Sequence, residues 1–439
     1  MTWSIALPVA RTSNNLKRSE SPSEAPSNRS IRWSLKVGGL VLLAIGLGGV
    51  AFVKILRAPS PTAAVVIPAP SPEVLLGIEK QSGPWGDLEI SDIQIDPPEE
   101  YATKLYVPAN QGVWFFGAGY DRVRILKLFK SADLTETQRS ELVDPARWQS
   151  TALGVRITPE ARIFLGLSRA ARSRIYHALA EFTENYFQSS PFMFPKKRAD
   201  EWFFHSGLAA ETMSLISGLL YEQGGMLCFS DVGILEHISS DSEKKRLIMA
   251  LSRTPTLLVN LRIRPGADPE PLVRYWSRAD HGRGASELIH SMARGRNGGS
   301  IDISHLLPPF VRERLYTYPQ IPAGQIKKGP DCFWSALSFD REPPDYSVVN
   351  EAYLLEQLKA DYESTREQFQ LGDVLVFSNG AGRIVHSCVY LAGNIVFTKN
   401  GASPFAPWVL MRLQDVVGFY SSDTVPKIIC FRKKGTKPT

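Results

Sequence analysis

Cysteine is scarce in this chain, 4 of 439 residues, which excludes a fold stapled by a dense disulfide framework. Histidines at the spacing of a metal-binding helix are absent too. His177, His205, His237, His281 and His290 are scattered and Cys228 stands alone, so each reads as a surface or hydrogen-bonded core residue, and no metal or other cofactor is expected. No glycine-rich loop follows a strand: Gly295, Gly298 and Gly299 fall in a basic stretch, which leaves nucleotide binding without support. Nor is one charge in large excess. Lys+Arg 50 against Asp+Glu 44 leaves +6, too little over this length to point to a nucleic-acid partner. What is present, 44% hydrophobic and 21% charged residues, is a globular composition with room for two or three domains.

One long apolar run stands out. Val37 to Val53 carries no charge between Lys36 and Lys54, and at about 1.5 Å per helical residue it reaches roughly 26 Å, close to the hydrocarbon thickness of a bilayer. Trp33 sits where an interfacial aromatic belongs, and flanking lysines can snorkel. Arg11, Lys17, Arg18, Arg29, Arg32 and Lys36 precede the run, so the expected orientation keeps the N-terminus in the cytoplasm and exports everything after residue 57. A cleaved signal peptide fits less well, because the basic region is long and Arg57 interrupts a small-residue cleavage site. The expected plan is a disordered cytoplasmic tail over 1–32, a transmembrane anchor over 33–57 and a Pro/Ala-rich linker over 58–73.

From 74 to about 130 the pattern is strand-like, with LEISDIQI, GVWFFG and RVRILKLF as short apolar runs. Helix-start signals follow at Thr135 with Gln138, at Thr158 before Pro159, and at Ser168. The segment 135–295 therefore reads mainly helical, with a strand near 256–263, and 74–310 is expected to form a mainly helical domain with a strand-rich start. Trp202, Phe203 and Phe204, like Tyr275 and Trp276, read as core aromatics.

The chemistry concentrates after residue 311. Gly329, Pro330 and Asp331 punctuate the chain before CFWSALSF, which places the Cys332 thiol at the start of a buried helix with Asp331 as its cap. Unpaired N–H groups there favour a thiolate, and the Cys332 N–H is available to an oxyanion. A second helix, roughly 348–364, is followed by three apolar strands with glycine-containing turns, an antiparallel meander. His386 lies inside the second strand, where an imidazole can be held rigidly for an activated thiol. Cys388 and Cys430 fall on strands of the same region, and an exported location permits a disulfide between them.

The order DC, then GDVLVF, then HSCVYLAGN resembles the NlpC family of cell-wall cysteine peptidases, over about 311–439. The resemblance implies a papain-like domain with helices packed on an antiparallel sheet, Cys332 as nucleophile and His386 as general base. It also implies a third polar group on the following strand that orients the imidazole. Thr398, Lys399 and Asn400 occupy that stretch, and Asn400 is the choice because an amide can accept the ring N–H whereas Lys399 would repel an imidazolium. An upstream tyrosine that helps bind substrate or oxyanion matches Tyr318 more closely in spacing than Tyr316, and Asp331 completes that group. The chain departs from the family where bulky Phe333 and Trp334 follow the cysteine instead of Ser and Gly.

The expected class is α+β: an N-terminal transmembrane helix, a mainly helical middle domain and a papain-like domain. The expected function is an anchored, exported thiol hydrolase that cleaves an amide bond in peptidoglycan stem peptides. Its partners would be a peptide substrate and a membrane, with no nucleic acid. The alternatives are an amidase or acyltransferase of the same fold, or a non-catalytic anchored scaffold. The sequence leaves the oligomeric state open.

Overall fold

The computed structural model describes residues 77–104, 112–278, 283–320, 329–421 and 424–436. The expected tail, anchor and linker (1–73), and His281, lie outside the described residues. Among the described residues, no helix is long and apolar enough to cross a membrane.

Mixed helix and antiparallel sheet make up the rest, an α+β architecture. Strands β1 (Glu79–Gly83), β2 (Gly86–Ile95), β3 (Thr254–Ile263) and β4 (Gly299–Asp302) form a four-stranded sheet in that order. The run LEISDIQI is the body of β2, and its nine-residue pairing with β3 brings together segments more than 150 residues apart. A six-stranded sheet is built from β5 (Tyr362–Thr365), β6 (Val374–Ser378), β7 (Ile384–Ala392), β8 (Ile395–Lys399), β9 (Trp408–Arg412) and β10 (Lys427–Lys433), ordered β5-β10-β6-β7-β8-β9.

Alternation, interrupted at the bulge around Leu391 and Ala392, divides the larger sheet into two faces. Val374, Val376, Val389, Leu391, Ile395, Phe397 and Leu410 join one core cluster, while Leu375, Phe377, Cys388, Tyr390, Val396 and Val409 join another. The helix Cys332–Leu337, hereafter the cysteine helix, packs on the first face through Trp334, Ala336 and Leu337. The helix Leu413–Tyr420, hereafter the tyrosine helix, packs on the second through Val416.

The core on the cysteine-helix face crosses residue 310. Leu88, Ile90, Leu257, Val259 and Leu261 of the smaller sheet belong to the same cluster as Val374 and Phe397. Thr256 ties the two sheets polar group to polar group: its hydroxyl donates to the Leu410 carbonyl (3.0 Å) and accepts the Leu410 N–H (3.1 Å). All the described residues fall within one compact unit.

Helices make up most of the regular structure of the middle segment, as expected after its strand-rich start. Between the helices lie two three-stranded sheets, one of Trp114–Gly117, Gly154–Ile157 and Trp148–Thr151, the other of Phe192–Pro195, Met226–Phe229 and Tyr221–Gln223. RVRILKLF, expected as a strand, is helix Arg122–Ser131. Asp121 caps that helix by accepting the Arg124 N–H, and Ile125 and Phe129, four apart, bury on one side, so helical spacing outweighs the local alternation. Trp202, Phe203, Tyr275 and Trp276 are buried core residues. Arg172 and Asp231 form a buried ion pair, and Tyr176 donates to the same carboxylate.

Candidate functional site

Asp331 terminates the chain's approach to the cysteine helix and fixes its first turn. Its carboxylate accepts the Trp334 N–H (2.9 Å), and its carbonyl accepts the Ser335 hydroxyl (2.7 Å). Trp408 Nε1 donates to the Ser335 hydroxyl oxygen (2.8 Å), which pins the helix to β9. The Trp334 ring packs edge-on against Phe310, so this bulky residue two positions after Cys332 is a structural anchor.

The thiol lies where two strands separate. The β7–β8 ladder ends at Val389 opposite Phe397, short of Ser387 and Lys399. At that fork the Ser387 hydroxyl donates to the Cys332 carbonyl (3.2 Å). Cys332 is 5% exposed. Burial pushes its thiol up to about 12; the Asp331 charge adds to that, while the Ser387 N–H and Lys399 oppose it. The helix has only six residues, so its dipole is a small help to a thiolate.

His386 precedes Ser387 on β7 and projects to the opposite, tyrosine-helix face. Its fully buried ring stacks on Tyr420 at 4.1 Å between centroids and lies edge-on to Phe377. Nε2 is hydrogen-bonded to the Thr398 hydroxyl (2.9 Å), and Nδ1 has no hydrogen-bond partner. Thr398 also donates to Asn400 Oδ1 (3.4 Å). A hydroxyl has one hydrogen; given to Asn400, it leaves the oxygen to accept Nε2–H, which selects the tautomer with a bare lone pair on Nδ1. Burial brings the imidazole down to about 3, so it stays neutral.

The expected residues therefore meet only in part. Cys332 and His386 occupy adjoining positions around one strand, with no hydrogen bond between thiol and ring. Asn400 does not touch the imidazole; it follows the end of β8, donates to Met411 Sδ (3.1 Å), and acts on His386 only through Thr398. Asp331 is the helix cap. Tyr318 is elsewhere: its hydroxyl donates to the Ser252 carbonyl (3.0 Å) inside an aromatic cluster with Tyr101, and Tyr316 donates to the Leu257 carbonyl (2.7 Å). Both tyrosines fasten the chain to β3 and its approach. Asp373 of the GDV run accepts the Gln370 N–H and an Arg432 N–H, a structural role.

Two contributors were not foreseen. Thr398 alternates onto the same face as His386, but so does Asn400, and only the parting of β7 and β8 brings Thr398 to the ring. Tyr420, thirty-four residues beyond His386, carried no local signal. It also lines a mostly apolar cavity of about 160 Å³ with Tyr186, Phe192, Phe405, Phe419 and Asn400. Cys388 and Cys430 are both free, because β6 runs between their strands and Leu375 pairs with each of them. Two strand spacings, about 10 Å, exceed the reach of a disulfide. Among the described residues, no cluster of His, Cys, Asp and Glu is placed to hold a metal ion.

The chain matches no model of a known protein family, no curated protein and no solved structure with which it was compared.

Proposed function

We propose that the chain is a thiol-dependent hydrolase of amide bonds, with Cys332 as nucleophile and His386 as its base. One observation carries this reading: the buried His386 ring is held by Thr398 through Nε2 with no partner on Nδ1, one residue along β7 from Ser387, whose hydroxyl bonds the Cys332 carbonyl. In the reaction, the His386 ring must first swing past the end of the β7–β8 ladder toward the sulfur; Nδ1 then takes the thiol proton as sulfur attacks the carbonyl carbon, and the Cys332 N–H, at the open end of its helix, faces the oxyanion. Collapse breaks the C–N bond, Nδ1 returns the proton to the leaving nitrogen, and water hydrolyses the thioester. Tyr420 covers the ring and must move for a substrate to enter. The proposed substrate is a peptidoglycan stem peptide, on the strength of the NlpC-like motif order and the apolar run at 37–53, which would tether the enzyme beside the wall. A papain-like domain is part of the same proposal.

The burial of both groups favours a second reading, a scaffold that keeps the fold without the chemistry. Incubating the full-length protein with isolated cell wall separates the two. Hydrolysis predicts release of soluble peptides, abolished in Cys332→Ala and reduced at least about 100-fold in His386→Gln. Wall binding without release, equal in all three proteins, is the scaffold's result.

A further inference from the structure

Tyr420 borders both the imidazole and a void. Its ring stacks on His386, 4.1 Å between centroids and 16° from parallel, and the same residue lines the cavity of about 160 Å³. It closes the tyrosine helix, so the ring can change rotamer without disturbing a following turn. Phe187, Phe192, Phe405 and Leu251 give the cavity apolar walls. Ser252, only 2% exposed, is also part of the lining, and its hydroxyl has no hydrogen-bond partner. The buried hydroxyl of Tyr420 has none either. Unpaired buried hydroxyls are costly, and here two of them border one space. A void of about 150 Å³ holds a benzene ring, so this one admits the ring of a tyrosine.

We propose that this cavity is the open seat of an aromatic gate: the Tyr420 ring leaves His386 and enters it, where its hydroxyl pairs with that of Ser252. The inference rests on His386 being the base and gives Tyr420 a gating role, outside the chemistry itself. In the closed seat the phenol has a stacking partner and no hydrogen bond. In the open seat it has apolar walls and a hydroxyl to meet its own. Each arrangement offers the ring something the other lacks, which is what an equilibrium between two seats requires. Closed, the gate keeps water from the imidazole, and burial holds that ring neutral down to about 3. Open, the imidazole meets water and regains its ordinary basicity. The cavity is thereby the counterpart of the covered base: without a place to receive the phenol, the stack on His386 would be permanent.

Deuterium exchange of the His386 C2 hydrogen in the full-length protein, followed by mass spectrometry at neutral pH, reads the gate without any turnover, because that exchange needs a solvated ring. Tyr420→Ala removes the cover and should exchange at least about tenfold faster than the parent. Ala406 lines the cavity, and Ala406→Phe fills it; overpacking the open seat should slow exchange at least about tenfold. In the Tyr420→Ala background the same filling should change nothing. Equal rates in the parent and Ala406→Phe, or a slowing by Ala406→Phe that persists without the tyrosine, would overturn the proposal. If Ala406→Phe does not fold, the hydroxyl pair decides. Ser252→Ala and Tyr420→Phe should each slow exchange about fivefold, one hydrogen bond, and the double variant should be no slower than either. Single variants at the parent rate, or effects that multiply in the double variant, refute the pairing in the open seat. Exchange that follows this pattern in a protein releasing no peptide from cell wall would remove the hydrolase reading and leave the gate standing.

Discussion

His386 shows how one side chain sets a pH limit. Free in an unfolded chain it protonates near its ordinary 6.5, while in the fold burial delays protonation to about 3. Between those values the unfolded chain binds a proton that the folded one refuses, so stability is complete above 6.5 and declines as the pH falls through this window. Urea midpoints measured from pH 7 to pH 4 should show that decline, and His386→Gln should flatten it by up to about 1 kcal/mol per pH unit. The same ring stays neutral at pH 7, and to act as a base it must be rehydrated when Tyr420 moves aside. Its unpaired Nδ1 is tolerated in a packed core, where an orphaned polar atom ordinarily costs about 1–3 kcal/mol, and such costs recur at functional sites.

The cysteine helix is the element on which the candidate chemistry turns, and its cap has two separable effects. Asp331 holds the first turn by accepting the Trp334 N–H and raises the thiol through its negative charge. Asp331→Asn should retain the cap, remain within about 0.5 kcal/mol of the parent stability and alkylate faster at Cys332, whereas Asp331→Ala should lose about 1 kcal/mol. Thermal melts and the rate of iodoacetamide alkylation give the two readings. This helix was legible because Gly329, Pro330 and Asp331 announce its start. The meander was legible from its alternation and glycine turns. The orienting group was not: Thr398, Lys399 and Asn400 are consecutive, and choosing among them requires knowing that β7 and β8 part at the fork and which side each residue faces. RVRILKLF misled for a related reason, since eight residues can satisfy alternation and helical spacing together until neighbours choose.

Across the whole molecule, the stretch from 311 onward does not own its core. Leu88, Val259, Leu261 and Trp276 share a cluster with Val376, Leu391 and Phe397, and Thr256 closes the seam between sheets. Residues 311–439 produced alone should give no cooperative melting transition, because one wall of that cluster would be exposed; the chain containing residues 77–436 should melt with one. Differential scanning calorimetry distinguishes the outcomes. Sequence periodicity cannot reveal this dependence, since the β2–β3 pairing and the packing of both sheets join segments separated by hundreds of residues.

Leu375, set between Cys388 and Cys430, has a consequence for where such a protein can work. With Cys388 and Cys430 held apart and all four cysteines free and buried, the fold neither gains from an oxidising compartment nor suffers in a reducing one. Its integrity is decoupled from the electron balance of its surroundings, which leaves the sulfur at the strand fork free to be selected for reactivity alone.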